Sequence, residues 1–172
     1  MSKKTGLLLG SILTLLFLLP KRGSSDAPIY PRTIDQSSIS IHESPLDVDI
    51  ILVDPNGNRT GSMNTPPYTI EKIPRSGCWR VALDDNDTGI ADSAGNSTIT
   101  VNQPSKGIYK LLISGPKTTT FDLQIDFFDS NGKRQLPVYH PAPLSIQPGI
   151  ERVFELNFNP APGAQSTVTE KV

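Results

Sequence analysis

The sequence predicts an all-β protein, an antiparallel β-sandwich of about seven or eight strands that follows an N-terminal signal helix. Short runs in which apolar and polar residues alternate recur through the chain, as in GIYKLLIS at 107–114. Turn residues, among them Asn56-Gly57 and Asn131-Gly132, separate these runs. The runs have a period of two and show no apolar stripe of helical period, which favours half-buried strands over amphipathic helices.

Residues 1–25 have the composition of a secretory signal peptide. Lys3 and Lys4 precede thirteen uncharged residues at 7–19, and Pro20 and small residues follow. This order of basic, apolar and small residues is typical of a signal for export, and the apolar run is shorter than the ~20 residues of a membrane-spanning helix. The sequence therefore predicts a secreted or periplasmic protein. An uncleaved membrane anchor through 7–19 is the alternative, because Lys21 and Arg22 follow the run directly.

The rest of the chain divides into three parts. Residues 26–37 are predicted to form an extended linker, 38–158 the β-sandwich domain, and 159–172 a disordered tail, because the tail is polar and rich in proline. Removal of residues 1–25 leaves 12 Lys and Arg against 17 Asp and Glu, a formal charge of −5. This balance gives no basic surface for nucleic acid, and none is expected as a partner.

Eight strands are predicted within the domain. In chain order they lie near 40–42, 46–53, 68–73, 78–83, 97–101, 109–113, 121–127 and 150–158. Tyr109, Leu111 and Ile113 share one face of their strand, so a shift of one residue would expose all three. This strand and the following strand, 121–127, are predicted to pair as a hairpin across the intervening loop.

The order of short motifs resembles that of bacterial extracellular β-sandwich modules. They are SPLDVDIILVDPNGNRTG from Ser44, IPRSGCWRVALDDNDTG from Ile73, ITVNQPSKGIYKLLISGPKTTTFDLQIDFFDSNGK from Ile99, and SIQPGIERVFELNF from Ser145. In this order they are similar to pre-peptidase C-terminal and immunoglobulin-like domains, and the sandwich is expected to be immunoglobulin-like or jelly-roll-like. The resemblance implies export and a sandwich fold, and it implies no catalytic residues.

An acidic cluster is the candidate metal site. Asp84, Asp85, Asp87 and Asp92 fall within nine residues, and their oxygens are ligands of the kind that Ca²⁺ prefers. The alternative is a solvated turn without metal, since Asp, Asn and Gly are common turn residues. No other cofactor is predicted.

Two aromatic residues are candidate contacts for a partner. Cys78 and Trp79 are adjacent in a strand, so one of them must face outward. Burial of Trp79 is the favoured interpretation, and its exposure as a partner contact is the alternative. Phe127 and Phe128 are adjacent in the same way, and Phe128 is the predicted outward residue. The expected partner is a protein or a polysaccharide of unspecified identity.

The sequence predicts no catalytic residues. His42 and His140 are the only histidines, and no Gly-x-Ser-x-Gly motif frames a serine. The only cysteine, Cys78, cannot form an intramolecular disulfide and is interpreted as a buried, unreactive thiol.

The function predicted from these observations is that of an exported, non-enzymatic binding or structural module of the bacterial envelope or extracellular space. The alternative is an accessory module that binds Ca²⁺ or carbohydrate and serves a secreted hydrolase.

Overall fold

A computed structural model describes residues 34–84 and 91–171, except the side chains at 83, 84 and 91–94. These residues form eleven strands and no helix, and therefore no helix long and apolar enough to cross a membrane. The strands are β1 (Ser38–Ser44), β2 (Asp49–Val53), β3 (Arg59–Ser62), β4 (Thr69–Glu71), β5 (Ser76–Asp84), β6 (Ala91–Asn102), β7 (Gly107–Ser114), β8 (Thr119–Phe128), β9 (Leu144–Ile146), β10 (Glu151–Phe158) and β11 (Thr167–Lys171).

The strands form two antiparallel sheets that pack face to face. The five-stranded sheet has the order β5-β6-β1-β8-β9, and the six-stranded sheet the order β11-β10-β7-β2-β3-β4. The predicted antiparallel sandwich is confirmed, with three more strands than expected in the described residues. Of these, β3 was missed because it has no large apolar residue. A Cβ on Gly61 would lie 2.1 Å from the Ile50 carbonyl oxygen, so β3 approaches β2 only with glycine there.

The core lies between the inward faces of the two sheets. Ile39 and Ile41 of β1 and Leu111 and Ile113 of β7 are fully buried. The Phe127 ring of β8 meets the Phe158 ring of β10 across the core, with a centroid distance of 5.9 Å. Each such buried side chain stabilises the fold by roughly 1.5 to 3 kcal/mol.

The predicted hairpin between the strands at 109–113 and 121–127 is wrong. β7 pairs with β2 and β10 in the six-stranded sheet, whereas β8 pairs with β1 and β9 in the other sheet. The chain crosses from one sheet to the other through residues 115–118. The inward faces of both strands are buried as predicted, because alternation specifies which side chains face the core. Alternation does not specify which strand lies alongside, so the pairing was not predictable from it.

The C-terminal segment also differs from its prediction. Residues 159–172 were expected to be disordered, but β11 pairs with β10 from Asn157↔Thr167 to Val153↔Lys171. The buried Ser166 fixes the preceding loop, since its backbone N–H donates to Gln135 Oε1 over 2.7 Å. The contacts that order this segment are mainly hydrogen bonds, and a polar composition does not reveal them. The signal helix and residues 26–33 of the linker lie outside the described residues.

Each Asn-Gly turn is stabilised by an aspartate that precedes it. The Asp54 Oδ1 atom accepts hydrogen bonds from the backbone N–H groups of Asn56 and Asn58, over 2.9 and 2.8 Å. Asp129 Oδ1 accepts in the same way from the N–H groups of Asn131 and Lys133. Gly57 and Gly132 then adopt the positive φ angles of 85° and 75° that the turns require.

We expect the Asp54→Ala substitution to lower the free energy of unfolding by about 1 to 3 kcal/mol, because it removes the charged acceptor of the hydrogen bonds that hold the turn. Asp54 is only 7% exposed, and its Oδ2 atom also accepts from Asn58 Nδ2 over 2.8 Å. Urea denaturation measures the change. Asp54→Asn is the matched control and should be milder, because the amide keeps one acceptor oxygen. Equal stability of Asp54→Ala and the unsubstituted chain would contradict this account of the turn.

Candidate functional site

A row of outward-facing side chains crosses the five-stranded sheet. Trp79 of β5 pairs with Thr98 of β6, Thr98 with His42 of β1, and His42 with Gln124 of β8. Directly paired residues lie on the same face of a sheet, so the four side chains are neighbours. We call this row, together with Ser44, Asn96, Asp122 and His140, the polar face.

The Trp79 indole lies on the outside of the sandwich. Trp79 is 56% exposed, whereas Cys78 is 7% exposed and packs in the core. The ring extends along β5 over Gly77, where an added Cβ would lie 2.8 Å from Trp79 Cη2. Glycine at this position therefore allows the ring to lie along the strand. The favoured burial of Trp79 is wrong, because the neighbouring Cys78 takes the inward position and the indole stays outside.

A shallow cavity of about 280 Å³ lies on the polar face, beside the Trp79–Thr98 pair. Its outward-facing lining residues are His42, Ser44, Asn96, Thr98, Asp122, Gln124 and His140. Both histidines of the chain thus border one cavity, although 97 residues separate them in sequence. The pairing of β1 with β8 and the bridge between Ile125 and Tyr139 place them there. The sequence analysis considered the two histidines separately and missed this.

The ring of His42 is held by two hydroxyl groups. Its Nε2 atom lies 3.0 Å from Ser40 Oγ, and its Nδ1 atom lies 3.0 Å from Thr98 Oγ1. The spacing of Ser40 and His42, two residues apart on a strand, is a signal that could have revealed this contact in the sequence. A hydrolase of the serine–histidine type would have a carboxylate on Nδ1 and free backbone N–H groups for an oxyanion. Here a threonine takes the place of the carboxylate, and β1 is paired on both sides.

Phe128 lies on the same outer face but away from Trp79. It is half-buried at the end of β8, where it bridges to Arg134 and pairs with Ser38. It lies four positions after Gln124 along β8, which corresponds to about 14 Å. The two predicted partner contacts therefore do not form one site. Trp79 does not line the cavity itself, but it pairs with Thr98, which does.

The predicted calcium site falls largely outside the described residues. Asp85 and Asp87 belong to 85–90, and only the backbones of Asp84 and Asp92 are described. Asp84 pairs with Ala91, and the next pair joins Leu83 to Asp92, so the two backbones lie close together at the end of the β5–β6 ladder. Elsewhere in 34–84 and 91–171, no three His, Cys, Asp or Glu side chains are grouped so as to hold a metal ion. The calcium site stays a prediction.

A buried carboxyl lies behind the polar face. Glu43 alternates with His42 and Ser44 along β1 and therefore points inward, where it is 2% exposed. Ser97 Oγ donates to Glu43 Oε2 over 2.7 Å, and Oε1 has no hydrogen-bond partner among the described residues. Burial raises the pKa of Glu43 from 4.5 to about 8, although the Ser97 hydrogen bond and the Arg80 charge lower it. Glu43 is thus largely protonated at neutral pH.

A second cavity, of about 360 Å³, lies at one end of the six-stranded sheet. Its lining consists of Asp49, Asn64, Thr65, Ser114, Gly115, Pro116, Gly149, Ile150 and Glu151. No aromatic side chain and no histidine lines it, so the polar face offers the wider range of contacts to a ligand.

We expect the stability of the protein to fall as the pH rises from about 4.5 to about 8, with Glu43 as a main cause. In this interval the folded state holds a proton on Glu43 that the unfolded state has released. The free energy of unfolding therefore falls by up to ~1.4 kcal/mol for each pH unit. Urea midpoints across this range measure the effect. Glu43→Gln is neutral at every pH and should remove that part of the slope. Parallel plots of urea midpoint against pH for the two proteins would show that Glu43 is not the source of the slope.

We expect the Cys78 thiol of the native protein to react slowly with Ellman's reagent. Burial, and to a lesser extent the nearby Glu71 carboxylate, raise the pKa of Cys78 from 9.0 to about 11, although the Arg80 charge lowers it. A rise of two units leaves about 100-fold less thiolate, the reactive form. The rate at pH 8 should therefore be at least about 100-fold lower in the native chain than in urea. Glu71→Gln should accelerate the native reaction moderately. Equal rates in native and unfolded protein would refute the interpretation of Cys78 as unreactive.

Comparison of the chain with protein-family models, with curated proteins and with solved structures found no match. The resemblance to pre-peptidase C-terminal and immunoglobulin-like domains therefore stays a prediction.

Proposed function

We propose that this chain is a non-enzymatic binding module of the bacterial envelope or extracellular space, and that it binds its partner on the polar face. The observation that carries the proposal is the exposure of Trp79 in the same cross-strand row as Thr98 and His42, which line a cavity that both histidines border. Transfer of an indole ring out of water lowers the free energy. Trp79 is 56% exposed, so most of its surface is still available for burial by a partner. Such a residue in a polar surface is typical of binding sites.

The surroundings of Trp79 support binding rather than catalysis. Thr98, His42 and Gln124 lie in the middle of paired strands, so their positions are fixed by the sheet. A rigid set of donors and acceptors reduces the entropy cost of binding. The Ser40–His42 contact lacks the carboxylate and the oxyanion donors that acyl transfer uses. Export is supported by the basic, apolar and small segments of residues 1–25.

The only tryptophan of the chain gives a direct test of the proposed surface. We expect the Trp79 emission to shift to shorter wavelength, and acrylamide quenching to fall, when envelope or culture-supernatant fractions of the producing bacterium are added. Both changes follow because a bound partner removes water from the indole. Fluorescence titration of the full chain measures them.

Ile108→Ala is the matched control, because Ile108 is 49% exposed on β7 of the other sheet. This variant should respond as the unsubstituted chain does. An unchanged Trp79 emission with every fraction would contradict the proposed surface. Hydrolysis of ester or glycoside substrates that is lost in Ser40→Ala would contradict the non-enzymatic assignment.

A further inference from the structure

We infer that the ligand of the polar face is a neutral oligosaccharide whose sugar rings stack on Trp79 and whose hydroxyl groups bond to the neighbouring row. The inference rests on the proposed binding function and specifies the chemistry of the ligand. It follows from the orientation of the indole, the donors and acceptors beside it, the charge of the cavity and the length of the row.

The indole is oriented as a platform. Its six-membered ring covers Gly77, with Cη2 and Cζ2 at 2.8 and 3.0 Å from the position of an added Cβ. The strand thus supports the ring, while more than half of the side chain stays open to solvent. A pyranose ring presents C–H groups on its face, and these apolar groups match an aromatic face that cannot form hydrogen bonds of its own there.

Polar side chains of the polar face match hydroxyl groups. Thr98, Gln124 and Asn96 each offer both a donor and an acceptor, as a sugar hydroxyl does. The contact between His42 Nδ1 and Thr98 Oγ1, 3.0 Å long, orients the threonine hydroxyl before a ligand arrives. A sheet that holds such groups in fixed positions favours a ligand with many hydroxyl groups at regular spacing.

The charge of the cavity argues against an anionic ligand. No lysine or arginine is among its lining residues, and its outward carboxyl group is Asp122. Arg134, which bridges to Phe128, is bound to Asp126. A phosphate, a nucleic acid or a chain of uronic acids would therefore meet a carboxylate without a compensating cation.

The length of the row indicates more than one sugar unit. From β5 to β8 the row crosses three strand spacings, about 14 Å, and His140 extends the lining beyond β8. A single pyranose on Trp79 would reach Thr98 but not Gln124. An oligosaccharide that lies across the strands contacts both, so affinity is expected to increase with the number of sugar units.

The test is a titration of the full chain with oligomers of glucose, xylose, mannose and N-acetylglucosamine, from monomer to hexamer, with heparin and oligogalacturonate as anionic probes. We expect at least one neutral series to shift the Trp79 emission with an affinity that rises with length. By calorimetry, Trp79→Ala should weaken that binding at least about tenfold and Gln124→Ala about fivefold. Ile108→Ala, on the other sheet, should leave it unchanged.

The outcomes separate this inference from the proposed function. If bacterial fractions change the Trp79 emission and no neutral oligomer does, the oligosaccharide inference is wrong and the binding surface stands. Tighter binding of heparin or oligogalacturonate than of every neutral series also overturns the inference. If neither the fractions nor the oligomers have an effect, both proposals fail.

Discussion

The burial of one face of each sheet against the other is the constraint on which both the fold and the polar face depend. The rings of Phe127, Phe158 and Tyr109 meet between the sheets, with centroid distances of 5.9 and 6.5 Å. Because side chains alternate along a strand, burial of Ile41 places His42 outside, and burial of Cys78 places Trp79 outside. A slip of one residue in any of the four strands would turn that strand's member of the row into the core, so the packing of the core also fixes the candidate site.

The sequence reveals the faces of the strands more readily than their neighbours. Alternation in 109–113 and 121–127 identified the buried residues of β7 and β8, but the same pattern suits a hairpin and a crossing between two sheets. The short length and the polar composition of β11 concealed it in the sequence. In the structure, β11 is held by its ladder to β10 and by the ion pair of Arg152 with Glu170, 2.6 Å from Nε to Oε1. Such contacts join residues far apart in the chain and leave no periodic signal.

The sequence predicted only part of the candidate site, for the same reason. Alternation required either Cys78 or Trp79 to face outward, and the choice depends on packing that a single strand does not encode. A cue was available at Gly77, since glycine two residues before a tryptophan leaves room for the ring along the strand. The assembly of His42, Asp122 and His140 around one cavity depends on the order of the strands, which the motifs could not supply.

The position of Trp79 on β5 raises a physical difficulty, because β5 has a sheet neighbour on one side only and an edge strand moves more easily than a central one. Arg80 counters this from the inward side. Its guanidinium donates to the carbonyl oxygens of Leu46 and Met63 and to the side chains of Ser62 and Asn64, over 2.9 to 3.1 Å.

The Cys78 N–H donates to Glu71 Oε1 over 2.7 Å, which gives the open edge of β5 a second attachment. The residues on either side of Trp79 in sequence thus bind β5 to the strands and loops of the opposite sheet. Hydrogen bonds to a charged group are stronger than neutral ones, at roughly 1.5 to 3 kcal/mol each. The strand that carries the indole is therefore held in place without a ligand, which would reduce the conformational entropy lost if the proposed ligand binds.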